Sequence, residues 1–165
     1  MSGEPATVMA VPQHNTGLVW SDTLLLGFAA MDNDHREFVA ALHTLQAAGA
    51  DSVATCLDAF TAQARRHFAA EDAWMTETAF PPRQCHIDEH AAVLKSLDEV
   101  RALVALGRVG HVPSLAAALA DWFPRHAQHL DSALATWLCK QRWNARPVVL
   151  RRGVAHAATQ TFSQS

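Results

Sequence analysis

The stretch HFAAEDAWMTETAFPPRQCHIDEH, residues 67–90, carries two pairs of metal-type side chains on either side of a double proline. His67 and Glu71 are four residues apart, and so are His86 and His90. Residues four apart lie on the same face of an α-helix, one turn above each other. The stretch therefore predicts two antiparallel helices that each hold two potential metal ligands near the turn between them.

Apolar residues outside this stretch recur at alternating steps of three and four, a pattern typical of helices that bury one face. With the two central helices included, this periodicity predicts four helices, at about residues 31–48, 51–77, 83–107 and 113–140. The connections are short, so consecutive helices are expected to run antiparallel. We predict an all-α fold, an up-down-up-down four-helix bundle with an N-terminal arm.

The periodicity is lost at both ends of the chain, which divides the chain into three parts. We expect a flexible lead (1–17), one bundle domain that includes the arm (18–143) and a mobile tail (144–165). In the arm, Trp20 is the expected anchor to the bundle.

Two local signals refine the helix ends. Asp32 or Asn33 is expected to cap the first helix, because a short polar side chain can bind the free N–H groups of a first turn. Pro124 falls inside the fourth helix, where it removes a backbone donor and is expected to bend the helix.

The composition indicates one globular domain rather than a disordered or membrane-spanning chain. Of 165 residues, 50% are apolar and 18% are charged. No apolar run reaches the ~18 residues that a membrane span needs, and the net charge of −3 gives no reason to expect nucleic acid as a partner. Three scattered cysteines and an N-terminus without signal-peptide features favour a cytoplasmic location. We expect a monomer.

Ten histidines are the anomaly of the composition, and several fall on the buried faces of the predicted helices. At ~1.5 Å per residue, His35, His126 and the two central pairs lie at one level of the bundle. Asp131 shares this level, but it lies five residues after His126, roughly 140° around an ideal helix at ~100° per residue. A single histidine on an apolar face is more often packing than a ligand. Five histidines and a buried glutamate at one level instead predict a dinuclear metal site.

With these residues in place, the chain resembles the hemerythrins, most closely the single-domain bacterial members, over about residues 18–141. The resemblance is carried by Trp20, Gly27, Asp32, His35, Arg36, His67, Phe68, Glu71, Met75, Phe80, Pro81, His86, His90, Trp122, Phe123, His126 and Asp131. Two departures lie next to ligands, since Asp34 stands where the family often has glutamine and Asp72 where it often has glutamate.

The resemblance implies seven ligands and two non-haem iron ions. It implies that His86, His90 and His126 bind one iron, that His35 and His67 bind the other, and that Glu71 and Asp131 bridge the two. It also implies a bridging oxo or hydroxo group derived from solvent. On this count the second iron keeps one position open, which is the mark of a reactive rather than a structural site.

An open position in a histidine-rich site favours reversible O₂ binding, so we expect an oxygen storage, delivery or sensing protein. Phe38, Trp74 and Leu97 are, by position, the candidates for the apolar lining of the O₂ pocket. The alternative is a di-iron enzyme that reduces peroxide or nitric oxide, or oxidises a substrate, with a redox partner. Histidine and carboxylate ligands also accept Zn or Mn, so the residues alone leave the metal open.

Overall fold

The computed structural model describes residues 17–149, and there it confirms the helical bundle expected from the sequence. The helices are α1 (Ala29–Gln46), α2 (Val53–Glu77), α3 (Arg83–Ala105) and a fourth helix in three consecutive parts: α4 (Val112–His126), a π turn (Ala127–Asp131) and α5 (Ser132–Trp143). This described range contains no strand, and none of its helices could span a membrane. Most of the expected lead (1–16) and of the expected tail (150–165) lies outside the described residues.

Contacts between the helices show how they are arranged. Arg65 of α2 pairs with Asp98 of α3 at 2.6 Å, and Asp58, earlier on α2, pairs with Arg101, later on α3, at 2.7 Å. The two helices are therefore antiparallel. α1 packs against α2 and α4, and α3 packs against the same two helices, which gives a four-sided bundle.

The interior consists of two separate apolar clusters. The larger cluster fills the body of the bundle and includes Phe38, Phe60, Phe68, Leu97 and Phe123. The smaller cluster lies where the arm, the α2–α3 turn and α5 meet. Its buried members are Leu26, Phe28, Met31, Met75, Phe80, Leu134, Ala135, Leu138 and Cys139.

Asp32 attaches the arm to the bundle, and its position corrects the expected start of the first helix. α1 begins at Ala29, so Asp32 lies within the first turn and does not cap it. Its carboxylate accepts hydrogen bonds from the N–H groups of Leu26 at 2.7 Å and Gly27 at 3.0 Å. The physical reason is that a carboxylate one turn into a helix can reach back to N–H groups that precede the helix.

Both ends of the described chain pack against other parts of the fold. Trp20, the expected anchor of the arm, is partly buried against the larger cluster, and the Arg36 guanidinium lies 4.8 Å from its ring centre. Near the other end, Pro147 and Val148 lie so close to Gly27 that an added Cβ would approach them to 3.0 Å and 3.1 Å. Gly27 also has a φ of +80°, so both space and backbone favour glycine there.

A left-handed residue ends α2. Ala79 has a φ of +52°. The N–H groups of Ala79 and Phe80 return to the carbonyls of Thr76 at 3.2 Å and Met75 at 2.9 Å. These two hydrogen bonds form the Schellman motif, in which glycine usually takes the left-handed position. Phe80 is buried with Met75 in the smaller cluster, so apolar packing holds this turn although its backbone is strained.

Replacing Ala79 with glycine is expected to stabilise the protein. Relief of the left-handed conformation is worth about 1–2 kcal/mol. The greater freedom of glycine in the unfolded chain removes about 0.4–1 kcal/mol of that gain. A net gain of about 0.5–1 kcal/mol raises the melting temperature by roughly 1–4 °C for a chain of this size, which calorimetric unfolding can measure.

The matched control is Ala59→Gly on the exposed face of α2, where the same change is expected to lower stability by about 1 kcal/mol. A loss of stability in both variants would contradict the assignment of backbone strain to Ala79.

Candidate metal centre

A layer of buried polar side chains separates the two apolar clusters. On α1, for example, His35 lies between Met31 of the smaller cluster and Phe38 of the larger one. Charged and titratable side chains are almost never fully buried unless they are paired, so the layer needs a reason beyond packing. It contains all seven residues expected as ligands, each at most 3% exposed: His35, His67, Glu71, His86, His90, His126 and Asp131.

The seven residues form two groups that share two carboxylates, Glu71 and Asp131. One group adds three histidines and the other adds two. The groups are Glu71, Asp131, His86, His90 and His126, and Glu71, Asp131, His35 and His67. Within each group the ligand atoms lie within 4.8 Å of one another, so each group can surround one cation.

Two further carboxylates orient rings of the three-histidine group. Asp72 Oδ1 lies 2.8 Å from Nδ1 of His90, and Glu89 Oε2 lies 2.9 Å from Nδ1 of His126. Metal-binding imidazoles usually donate their second N–H to such a partner, which fixes the ring and its tautomer. Sequence reasoning gave neither carboxylate this role. The available signal was adjacency, because Asp72 follows Glu71 and Glu89 precedes His90 in the chain.

The same contacts direct the other ring nitrogens into the layer. With a proton on Nδ1, the Nε2 atoms of His90 and His126 each present a lone pair. These two Nε2 atoms are 3.2 Å apart, and His86 Nε2 lies 3.0 Å from that of His126. Lone pairs at this distance repel unless a cation or a proton lies between them, so the geometry suits a metal ion bound by all three rings.

A π turn brings Asp131 to the same face as His126. In a regular α-helix, the spacing of five residues would point them about 140° apart. The hydrogen bonds of a π turn join residues five apart, so positions at this spacing face the same way. Asp131 Oδ1 consequently lies 3.2 Å from His126 Nε2. Pro124 is contained within α4, and the departure from α-helical bonding begins just after it, at Ala127.

Buried atoms without hydrogen bonds indicate that cations fit this layer. Within the described residues, both carboxylate oxygens of Glu71 and Asp131 have no hydrogen-bond partner, and neither do the ring nitrogens of His35 and His67. The atoms are nevertheless close, since His35 Nε2 lies 3.1 Å from Asp131 Oδ2 and 3.7 Å from Glu71 Oε1. Burying such groups unbonded is costly, and metal ions between them would satisfy them together.

The shared carboxylates change the pKa values of the histidines that face them. Burial by itself lowers the pKa of His35 and of His86. Contacts with the two shared carboxylates outweigh burial and raise both pKa values to about 9. Burial lowers the pKa of His67 to about 4, and the charge of Glu71 opposes this only in part. In the metal-free layer, protons on His35 and His86 therefore supply the positive charge that the carboxylates require.

Aromatic rings of the larger cluster border the two-histidine group. Phe123 meets the His35 ring edge-on, with ring centres 5.1 Å apart. Phe38, expected in the apolar lining, lies 5.8 Å from the His67 ring and stacks on Phe123 at 4.4 Å. This side of the layer is therefore enclosed by apolar rings.

The other two residues expected in the lining lie in different clusters. Leu97 is fully buried in the larger cluster. Trp74 is half-buried beside the smaller cluster and meets Phe28 edge-on at 5.5 Å. Three histidines expected outside the site are exposed: His43, His111 and His129.

Together, the bundle and the buried donor set define a class of protein, the helical bundles with a histidine–carboxylate metal site between their helices. Residues 26–138 match the family model described as the hemerythrin HHE cation binding domain. The chain belongs to the hemerythrin family.

Two bacterial relatives support this assignment. The bacteriohemerythrin of Ralstonia nicotianae is 39% identical over 127 residues, which cover 77% of this chain and 93% of the relative. The bacteriohemerythrin of Stenotrophomonas maltophilia is 28% identical over 122 residues, which cover 72% of this chain and 79% of the relative. The resemblance noted from the ligand motifs is thereby confirmed.

The metal-free protein is expected to lose stability as the pH rises from about 7 to about 9.5. A histidine with a raised pKa in the folded state contributes stability that is fully present below its ordinary pKa and is lost as the pH passes the folded value. For His35 and His86 this window extends from 6.5 to about 9. His67 has a lowered pKa and titrates below this window.

Thermal unfolding at the two pH values measures the effect, with the metal-loaded protein as the control. Metal-bound imidazoles have already released these protons, so the loaded protein should be less sensitive to pH in this range. An equal fall of the melting temperature in both forms would show that the layer is not responsible.

Proposed function

We propose that this protein holds two iron ions in the polar layer and binds O₂ reversibly, as an oxygen storage, delivery or sensing protein. The observation that carries the proposal is the unequal size of the two ligand groups, five residues against four. A group with fewer protein donors leaves room for a small molecule, as reactive metal sites do. The names of the two relatives agree with a hemerythrin function.

Each residue of the layer has a defined role in this proposal. The shared carboxylates would hold both irons, together with an oxo or hydroxo bridge from solvent. Two ferrous ions, when bound, supply the electrons on which O₂ binding depends. The set of five neutral imidazoles and two carboxylates carries less negative charge than the four glutamates and two histidines of carboxylate-rich di-iron bundles, and this favours the ferrous state. We assign one iron to His86, His90 and His126, the other to His35 and His67, and the bridging role to Glu71 and Asp131.

The surroundings of the two-histidine group support binding rather than turnover. His35 and His67 are buried, and the stacked rings of Phe38 and Phe123 lie against them. An apolar wall limits the entry of water and protons, which would otherwise promote irreversible oxidation. Leu97 and Trp74 remain proposed parts of the lining.

We further infer a monomeric, cytoplasmic protein with one bundle domain (18–143) between its lead and tail. All three cysteines are free, which suits a reducing compartment. Few large apolar side chains are exposed on the described surface, which favours a monomer. They are Val19, Leu106, Val109, Trp143 and Val148.

Metal analysis and optical spectra of the reduced protein test the proposal. We expect about two irons per chain and an absorption band that appears with O₂ and disappears when O₂ is removed. Rapid, irreversible conversion to the ferric form would support the alternative, an enzyme that reduces peroxide or nitric oxide. Protein expressed with iron available but containing none would refute both.

Two histidine variants of the fourth helix test the ligand assignment. His126→Ala removes one donor of the three-histidine group and is expected to lower the iron content to about one per chain or less. His129→Ala removes an exposed histidine only three residues away and should leave the iron content unchanged. Iron analysis with circular dichroism measures both variants. Equal iron contents would contradict the role assigned to His126.

A further inference from the structure

Glu89 connects the polar layer with the surface of the bundle. It lies on α3 with its side chain 48% exposed. Its Oε2 accepts hydrogen bonds from Nδ1 of His126 at 2.9 Å and from Nε1 of Trp122 at 3.3 Å. The Trp122 ring lies 4.3 Å from the His126 ring. One exposed carboxylate thus holds both a buried imidazole and the indole that covers it.

Among the described residues, a carboxylate partner at Nδ1 occurs for only two of the five histidines of the layer. His90, through Asp72, has the same kind of contact. Within the described part of the chain, Nδ1 of the remaining layer histidines has no hydrogen-bond partner: His35, His67 and His86. Both paired rings therefore belong to the three-histidine group.

The surface around Glu89 is open because α3 and α4 leave a groove of about 420 Å³ between them. Glu89 and Trp122 form part of its wall, together with apolar residues such as Val93 and Leu119. The carboxylate therefore keeps contact with solvent, whereas His126 behind it is buried.

We propose that Glu89 is a positioning residue that holds His126 in the tautomer able to bind a metal, so that metal retention by the three-histidine group depends on this exposed carboxylate. The inference rests on the proposed function for the identity of the site, but it concerns a residue outside the ligand set.

The physical reason is that a neutral imidazole carries one proton on one of two nitrogens. Glu89 draws that proton to Nδ1 and leaves the Nε2 lone pair directed into the layer. Without Glu89, the competing tautomer with a proton on Nε2 gains an advantage, because Asp131 Oδ1 lies 3.2 Å from that atom and can accept it. A carboxylate partner also makes the ring a stronger donor to the metal.

Competition for Zn²⁺ with a chromophoric chelator measures the effect without relying on iron chemistry or O₂. Zn²⁺ takes the same ligand types and has no redox chemistry. Glu89→Ala is expected to weaken Zn²⁺ binding by about 10–100-fold. Glu89→Gln keeps an acceptor oxygen, so its Zn²⁺ affinity is expected to stay close to that of the unchanged protein.

Asp88→Asn is the matched control. It removes one negative charge from the neighbouring exposed position of α3, and Asp88 contacts Gln84 rather than a layer histidine. Zn²⁺ affinity in this variant should equal that of the unchanged protein.

Nitrogen-15 NMR of the metal-free protein reports the tautomer of His126 directly, which a general loss of stability would not mimic. We expect a slowly exchanging Nδ1 proton on His126 in the unchanged protein, in Glu89→Gln and in Asp88→Asn, and its loss in Glu89→Ala. If Glu89→Ala matches Asp88→Asn in both Zn²⁺ affinity and the Nδ1 signal, the role of Glu89 is refuted. Failure of the unchanged protein to bind iron would refute the proposed function instead, while the Zn²⁺ comparison still decides the role of Glu89.

Discussion

Two fully buried carboxylates, Glu71 and Asp131, impose the constraint on which the rest of the structure depends. An ionised carboxylate inside a protein needs positive charge and hydrogen bonds close to it. Within residues 17–149, the charged partners within 4.0 Å of these two groups are histidine rings, not lysine or arginine. Histidine can meet the need in two ways, as a protonated ring or as a ligand that shares a metal ion with the carboxylate. The layer supplies five imidazoles for this purpose, and Asp72 and Glu89 orient two of them.

Most of the fold could be predicted because the apolar periodicity of a helix is local information. The bounds of α2 and α3 lie within two residues of those expected. The earlier start of α1 depends on Asp32, whose contact with the arm involves residues outside the helix. The left-handed turn at Ala79 could not be predicted, because glycine usually marks such a turn and alanine stands there instead. The burial of Phe80 stabilises the turn although alanine disfavours its backbone conformation.

For the candidate site too, features within one helix could be predicted and features that depend on packing between helices could not. Pairs of ligands four residues apart are visible in the sequence because they share a helix face, and the resemblance supplied their order. The spacing between His126 and Asp131 did not fit a regular helix, and the residues between them gave no signal that predicts a π turn. Glu89 reaches His126 across 37 positions and two helices, so its role follows only from the packing of α3 against α4.

The division of the interior into two apolar clusters has a consequence for how the molecule unfolds. In most small domains continuous apolar contact makes unfolding a single cooperative event. Here the contact is interrupted by a layer of charged and titratable side chains, so cations bound in that layer would also couple the two clusters. We therefore expect the region formed by the arm, the α2–α3 turn and α5 to open locally as a unit, and to open less often when cations occupy the layer.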